Sequence, residues 1–285
     1  MKATLQLMLV ALTLCAADAH SFDFQKELSN AQSLGQELNA KKDALQAPLK
    51  TAGLSGYSEA EEIAIGRQIA GNLLGAAPLV KDAALQRYVN KVGRWVASQS
   101  ERPDLAWHFG VIESNDLNAF SAPGGYIFLT RGLYMLLANE SELAGVLAHE
   151  IGHVIRKHHL KILQQSNLLD MGSTALSKQV GGNDKIAGLI GSGAEIVSRA
   201  LDKDAEYEAD RIGVVLTARA GYDAYGLPQV LQEIGHRAPT DDSVALLFKT
   251  HPLPEARLAK LGDVMDSRFD GLKGQTLPKR LVKIK

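Results

Sequence analysis

The chain has almost no cysteine: Cys15 is the single one in 285 residues. A disulfide framework and a thiolate-rich metal site are both excluded. It also lacks a surplus of either charge, since the formal net charge is −1. No global field therefore draws it to nucleic acid or to acidic partners. After the first nineteen residues there is no run of eighteen uninterrupted apolar residues, so the mature chain is expected to carry no transmembrane helix. What is present is 46% hydrophobic and 22% charged residues, a globular composition with enough apolar material for a sizeable core.

Lys2, the apolar run LQLMLVALTLCAA and the A-D-A at 17–19 read as a secretory signal peptide, residues 1–19, cut after Ala19. The rival is a lipid anchor on Cys15. It is disfavoured because Leu14 stands where such a signal places a small residue. Cleavage after Ala19 would leave a mature chain without cysteine, in a compartment where disulfides are allowed but not needed. The periplasm is the expected location. Residues 20–57 then form a polar helical arm and a linker, and 58–268 the main domain. Residues 269–285 form a basic tail carrying Lys273, Lys279, Arg280, Lys283 and Lys285, expected to be a solvated end.

Local signals are mostly helical. Ser58 with Glu61 makes a capping box, a second helix should run from Asp82 to Ser100, and Asn139 with Glu142 opens another. WHFGVIES at 107–114 is strand-like, and NAFSAPGGYIFLTRG at 118–132 places a Pro-Gly-Gly turn before a β-prone run, Tyr126 to Thr130. Residues 171–193 are rich in Gly and Ser and could cover a groove. IVSRALDKDAEYEADRIGVVLTARAG reads as a long helix stopped at Gly221. A further helix runs from Gly226 to Ile234, and Pro254 stands at a helix start. The expected class is α+β, predominantly α-helical, with a short sheet.

The chemistry concentrates in LAHEIGHVIRKHH, residues 147–159, which hold four of the eight histidines. His149 and His153 are four residues apart. Four residues turn a helix by about 400°, so both imidazoles leave one face a turn apart and can share one Zn²⁺. Glu150 points about 100° away, toward a water at the metal rather than the metal itself. His159 stands where a related class of zinc sites takes a third histidine. That class bends at a glycine, and Arg156 occupies the position here. A continuing helix would carry His159 away from the metal, so His158 and His159 are expected on the surface. DAEYEADRIG offers carboxylates instead. Glu206 and Asp210 share a helical face while Glu208 faces elsewhere. Glu206 is the candidate third ligand, and Asp210 the candidate acceptor for a histidine N–H.

HEIGH, EYEAD and THPLPEARL, preceded by NAFSAPGGYIFLTRGL, together resemble the gluzincin metallopeptidases of the CAAX prenyl endopeptidase and HtpX. Within them the chain is similar to the soluble periplasmic branch that includes BepA and LoiP. The resemblance spans about 60–265. It implies a compact helical metallopeptidase domain with a short sheet, and Glu206 as the third zinc ligand.

Three ligands leave the fourth zinc position open, as catalysis requires. One zinc per chain is expected. Glu150 would take the proton of the attacking water and return it to the leaving amine. His251 in KTHPLP would either steady the developing oxyanion or sit on the zinc at rest. The run Gly125, Tyr126, Ile127, Phe128 is read as an exposed sheet edge that pairs with an extended peptide. Expected partners are unfolded or misfolded polypeptides, outer-membrane proteins among the candidates, in a quality-control role. A catalytically restrained binder or chaperone using the same edge is the alternative; the presence of Glu150 argues against it.

Overall fold

The computed structural model describes residues 56–164, 201–237 and 241–284. The expected signal peptide and arm, and the cover at 171–193, lie outside the described residues. Helix α1 spans Glu59–Ala76, opened by the Ser58–Glu61 capping box. It buries Ile65, Ile69 and Leu73 at helical spacing. Helix α2, Ala83–Ala97, is capped by Asp82, whose side chain accepts from the N–H groups of Ala84 and Leu85. It buries Leu85, Val89, Val92 and Val96 and stops short of the expected Ser100.

The sheet has β1 (His108–Ile112), β2 (Ala119–Ala122) and β3 (Tyr126–Thr130) in the order β1-β3-β2. β3 runs parallel to β1 and antiparallel to β2. Gly124 and Gly125 make the β2–β3 turn with φ of 74° and 92°, conformations that favour glycine. The expected edge at Gly125, Tyr126, Ile127 and Phe128 is therefore corrected. β3 is the middle strand, with both flanks paired. Ile127 to Thr130 are all buried, so both faces of the strand are covered and its apolar run marks an interior position. The outer flank of β1 is closed by two side-chain amides of α2. Gln86 donates to Val111 O at 2.9 Å and accepts from Val111 N at 2.9 Å. Asn90 does the same for Phe109. On β2, Asn118 O accepts from Thr130 N. By the alternation of an antiparallel ladder, the backbone groups of Ala119 and Ser121 point away from β3.

Helix α3, Arg131–Leu136, follows β3 directly, capped by Thr130. Helix α4, Glu140–Ile155, starts at Asn139, whose side chain accepts from Glu142 N. Every residue from Glu140 to Val154 is buried, making α4 the axis of the core. It ends at Arg156. Lys157 then takes a left-handed conformation, φ 56°, and residues 158–164 turn helical again. The helix expected to continue is broken without a glycine. His158 and His159, expected on the surface, are swung inward and are only 3% and 7% exposed.

Helix α5, Lys203–Arg219, is capped by Asp202 and ends before Gly221, φ 84°. It crosses α4 closely. A Cβ on Gly152 would lie 3.2 Å from Ala209 Cα, and one on Gly213 would lie 3.1 Å from His149 N. Helices α6 (Gly226–Gly235), α7 (Asp242–Thr250) and α8 (Pro254–Met265) complete the helical layer. The sequence reading did not foresee α3 or α7. The basic tail keeps Lys273, Lys279, Arg280 and Lys283 exposed, as expected, but its apolar residues dock on the core. Leu281 is buried, Tyr134 Oη donates to Val282 O at 2.6 Å, and Arg280 pairs with buried Glu140 at 3.1 Å. Leu277, Leu281 and Val282 pack on the main core between the cations, which explains the docking. Among the described residues no helix is long and apolar enough to cross a membrane.

The contact of α4 with α6 gives a test. A Cβ on Gly145 would lie 2.5 Å from Leu227 N, a backbone atom that cannot swing aside. Gly145→Ala should destabilise by about 1–3 kcal/mol, read as a lower urea midpoint. Gly75→Ala, with nothing within 4 Å of the new Cβ, should be neutral or slightly stabilising.

Candidate metal centre

Helix α4 sends His149 and His153 from one face, with their Nε2 atoms 3.0 Å apart. Helix α5 brings Glu206 against them. Its Oε1 is 3.5 Å from His153 Nε2 and its Oε2 is 3.7 Å from His149 Nε2. His251, the residue that ends α7, puts Nδ1 2.6 Å from Glu206 Oε2. One nitrogen or oxygen from each of His149, His153, Glu206 and His251 falls within a span of 4.8 Å.

This set fits a metal ion on its own terms. Among the described residues Glu206 Oε1 is buried without a hydrogen-bond partner, a costly state for a carboxylate oxygen. Two Nε2 atoms facing each other at 3.0 Å share at most one N–H between them if both rings are to bond. A divalent cation among them would satisfy the oxygen and both lone pairs. Imidazoles with a carboxylate and no thiolate suit zinc and its neighbours in the first transition row.

Behind the cluster, Asp210 Oδ1 lies 2.9 Å from His149 Nδ1. Arg257 of α8 grips Asp210 with two bonds, Nε to Oδ2 at 2.9 Å and Nη2 to Oδ1 at 2.6 Å. Sequence reasoning missed Arg257, although it quoted the segment that holds it. The one available signal was the need of a buried Asp210 for a counter-charge. It also missed His158, whose Nδ1 is 2.9 Å from His153 Nδ1. Glu208 does face away from Glu206, toward His158 and Arg156. His159 stands apart from the four-donor group. Its Nε2 is 3.5 Å from Ser121 Oγ and its Nδ1 is buried without a partner. Glu150 is 3% exposed and has no side-chain hydrogen-bond partner among the described residues. It lines a cleft with Ala119, Phe120 and Ser121 of β2, beside His153, Glu206 and His251. Among the four residues expected to hold substrate, Gly125, Tyr126, Ile127 and Phe128, none lines that cleft.

The electrostatics follow from burial and pairing. Burial pushes the His153 imidazolium well below its ordinary range, aided by neighbouring His149. Burial likewise pushes His159 down to about 4. For Glu206 burial works upward, but the charge and hydrogen bond of His251 outweigh it and hold the carboxyl at about 2. For Asp210 burial is again outweighed, by Arg257, which keeps the carboxyl far below the usual range. At His251 burial opposes the charge, yet Glu206 raises the imidazolium above its ordinary value. Glu206 and His251 thus favour each other's charged forms.

His159 makes these shifts testable. Its folded value is about 4 against 6.5 unfolded. Between those two values the unfolded chain holds a proton that the folded chain refuses, so stability falls with pH there and is complete above it. The metal-free protein should lose about 1–2 kcal/mol through this residue between pH 7 and pH 5. His159→Phe should show a smaller loss in urea midpoint over that interval. An equal loss would contradict the burial of a neutral ring.

Residues 83–264 match peptidase family M48. The chain is 32% identical over 241 residues to the beta-barrel assembly-enhancing protease of Escherichia coli strain K12, an alignment covering 80% of this chain and 49% of that protein. A putative beta-barrel assembly-enhancing protease of Vibrio cholerae is 27% identical over 228 residues, 77% of this chain and 47% of that protein. The mitochondrial metalloendopeptidase OMA1 of Schizosaccharomyces pombe is 30% identical over 181 residues, 61% and 51% of the two chains. The chain spans about half the length of the curated relatives it matches. Over a stretch that takes in the histidine pair, Glu206, Asp210, His251 and Arg257, the chain belongs to peptidase family M48 and so carries the domain of a metalloprotease, a hydrolase.

Proposed function

We propose that this chain is a zinc-dependent endopeptidase that cleaves unfolded or misassembled polypeptides of the bacterial envelope. The observation that carries the reading is the buried donor group with Glu150 beside it in a cleft walled by β2. His149, His153 and Glu206 would hold one zinc per chain. When bound, zinc would supply Lewis acidity to a water and to the substrate carbonyl. Glu150, buried and without a side-chain hydrogen-bond partner among the described residues, takes the proton of the attacking water and delivers it to the departing amine. Asp210 holds the Nδ1–H of His149 and so keeps its Nε2 aimed at the metal. Arg257 keeps Asp210 ionised.

The substrate reading moves from β3 to β2. The backbone groups of Ala119 and Ser121 point away from β3, and both residues line the cleft that holds Glu150. An extended peptide added to β2 would bond through its backbone, with little demand on side chains. A folded protein cannot offer such a strand, so unfolded chains are favoured. The name of the bacterial relatives, beta-barrel assembly-enhancing protease, motivates outer-membrane proteins as substrates and the periplasm as the location. In this reading residues 1–19 are a signal peptide, 20–57 an arm, and 58–268 the peptidase domain. The restrained binder is a second reading favoured by one contact. His251 already sits 2.6 Å from Glu206, where it would compete for the fourth metal position at rest.

Zinc content and casein cleavage test the proposal. Glu150→Gln should keep about one zinc per chain and lose activity by about 10²–10⁴. Glu206→Ala should lose most of the zinc. Full activity in Glu150→Gln, or full zinc in Glu206→Ala, would overturn the assignment. His251→Ala should raise basal proteolysis and self-cleavage if the ring blocks the site at rest. A fall in kcat of about 10²–10³ with zinc retained would instead make it an oxyanion donor.

A further inference from the structure

We propose that His158, backed by Glu208, is a positioning residue that fixes the tautomer and ring orientation of His153. The inference rests on His149, His153 and Glu206 being metal ligands, and it concerns a residue five positions past His153. On a continuing helix those five positions would turn about 500°, placing the two rings about 140° apart. They meet because the chain breaks at Arg156 and Lys157. Lys157 accepts the left-handed conformation, which is strained for a non-glycine residue. Its ammonium is tied 3.2 Å from Glu62 Oε2. Glu62, fully buried in α1, is itself anchored by Arg102 at 2.8 Å and by Gly124 N at 3.1 Å. The strained turn is thus held from a second element, and it returns His158 beneath α4.

The proton positions along this line are then determined. Nε2 is the His153 nitrogen that faces His149 and Glu206. If it is to offer a lone pair there, the single hydrogen of the neutral ring must sit on Nδ1. Among the described residues, the acceptor for that hydrogen is His158 Nδ1, at 2.9 Å. The rings meet edge to face, 5.1 Å apart at 70°. His158 must then carry its own hydrogen on Nε2, where Glu208 Oε2 accepts it at 3.3 Å. Glu208 is held in turn by Arg156 Nε at 3.1 Å, and Arg156 by Glu101 at 3.0 and 3.3 Å. The opposite set of tautomers would put a hydrogen on His153 Nε2 and remove the lone pair. Both helical histidines are therefore backed by carboxylates of α5. Asp210 reaches His149 directly, and Glu208 reaches His153 through one intervening imidazole. One helix, α5, supplies Glu206 and both supports.

The test uses the full-length mature protein and variants at His158 and Glu208. Zinc affinity is read by competition with a chelator, and the His153 tautomer in the metal-free protein by ¹⁵N NMR. His158→Leu removes the acceptor and should weaken zinc binding by about 10–100-fold. His158→Gln can accept from His153 and donate to Glu208, so it should recover most of that loss. Glu208→Gln should fall between them. In the metal-free wild type, His153 should be the Nδ1–H tautomer, and His158→Leu should shift it toward Nε2–H. Zinc bound as tightly by folded His158→Leu as by wild type would overturn the proposal. So would a wild-type His153 found as the Nε2–H form. Should His158→Leu fail to fold, Glu208→Gln and the wild-type tautomer still decide. A wild type that binds no zinc would instead sink the metal reading, and the tautomer would still report on the His153–His158 bond.

Discussion

Glu206 meets His149, His153 and His251 at the wall of a buried cleft, and most of the architecture serves that meeting. A buried carboxylate oxygen without a donor is unstable, and Glu206 Oε1 is one. In the metal-free chain, part of the charge is answered by His251, whose imidazolium is raised by the same contact. With a metal present, the same ring lies close enough to compete for its fourth position.

Bringing a carboxylate of α5 to two imidazoles of α4 requires the helices to approach at backbone distance. Gly152 and Gly213 allow this, each standing where a Cβ would press on the partner helix. The sheet solves a different problem. Unpaired strand edges invite indiscriminate pairing. Here Gln86 and Asn90 close β1 with side-chain amides, while β2 turns its outer backbone toward the cleft. Ala119 and Ser121 of β2, both buried, line that cleft beside Glu150.

Much of this was legible in the residues because local chemistry dictated it. Ser58 and Asn139 cap the helices they were expected to cap, since a side-chain oxygen at a helix start has few other uses. The pairing of HEIGH with EYEAD was legible for a similar reason: two buried imidazoles and a shared carboxylate face need one another. What was not legible depended on distant contacts. The strand Tyr126–Thr130 could be seen, but its central place in the sheet depends on β1 and β2 together. The inward turn of His158 and His159 follows from a left-handed Lys157 tied to Glu62, nearly a hundred residues earlier in the chain. A glycine would have announced that bend; a lysine concealed it. Arg257 looked like any surface arginine on an amphipathic helix until Asp210 required it, and the tail's apolar residues were masked by the lysines and arginine among them.

The central claim is that the buried cluster is a catalytic zinc centre of nitrogen and oxygen ligands. X-ray absorption at the zinc edge of the purified full-length protein tests it most directly. The account predicts four or five light scatterers at about 2.0–2.1 Å, with the outer-shell pattern of at least two imidazoles and no sulfur. A six-oxygen shell typical of a hydrated surface ion, or a protein that purifies and reconstitutes without stoichiometric zinc, would contradict it.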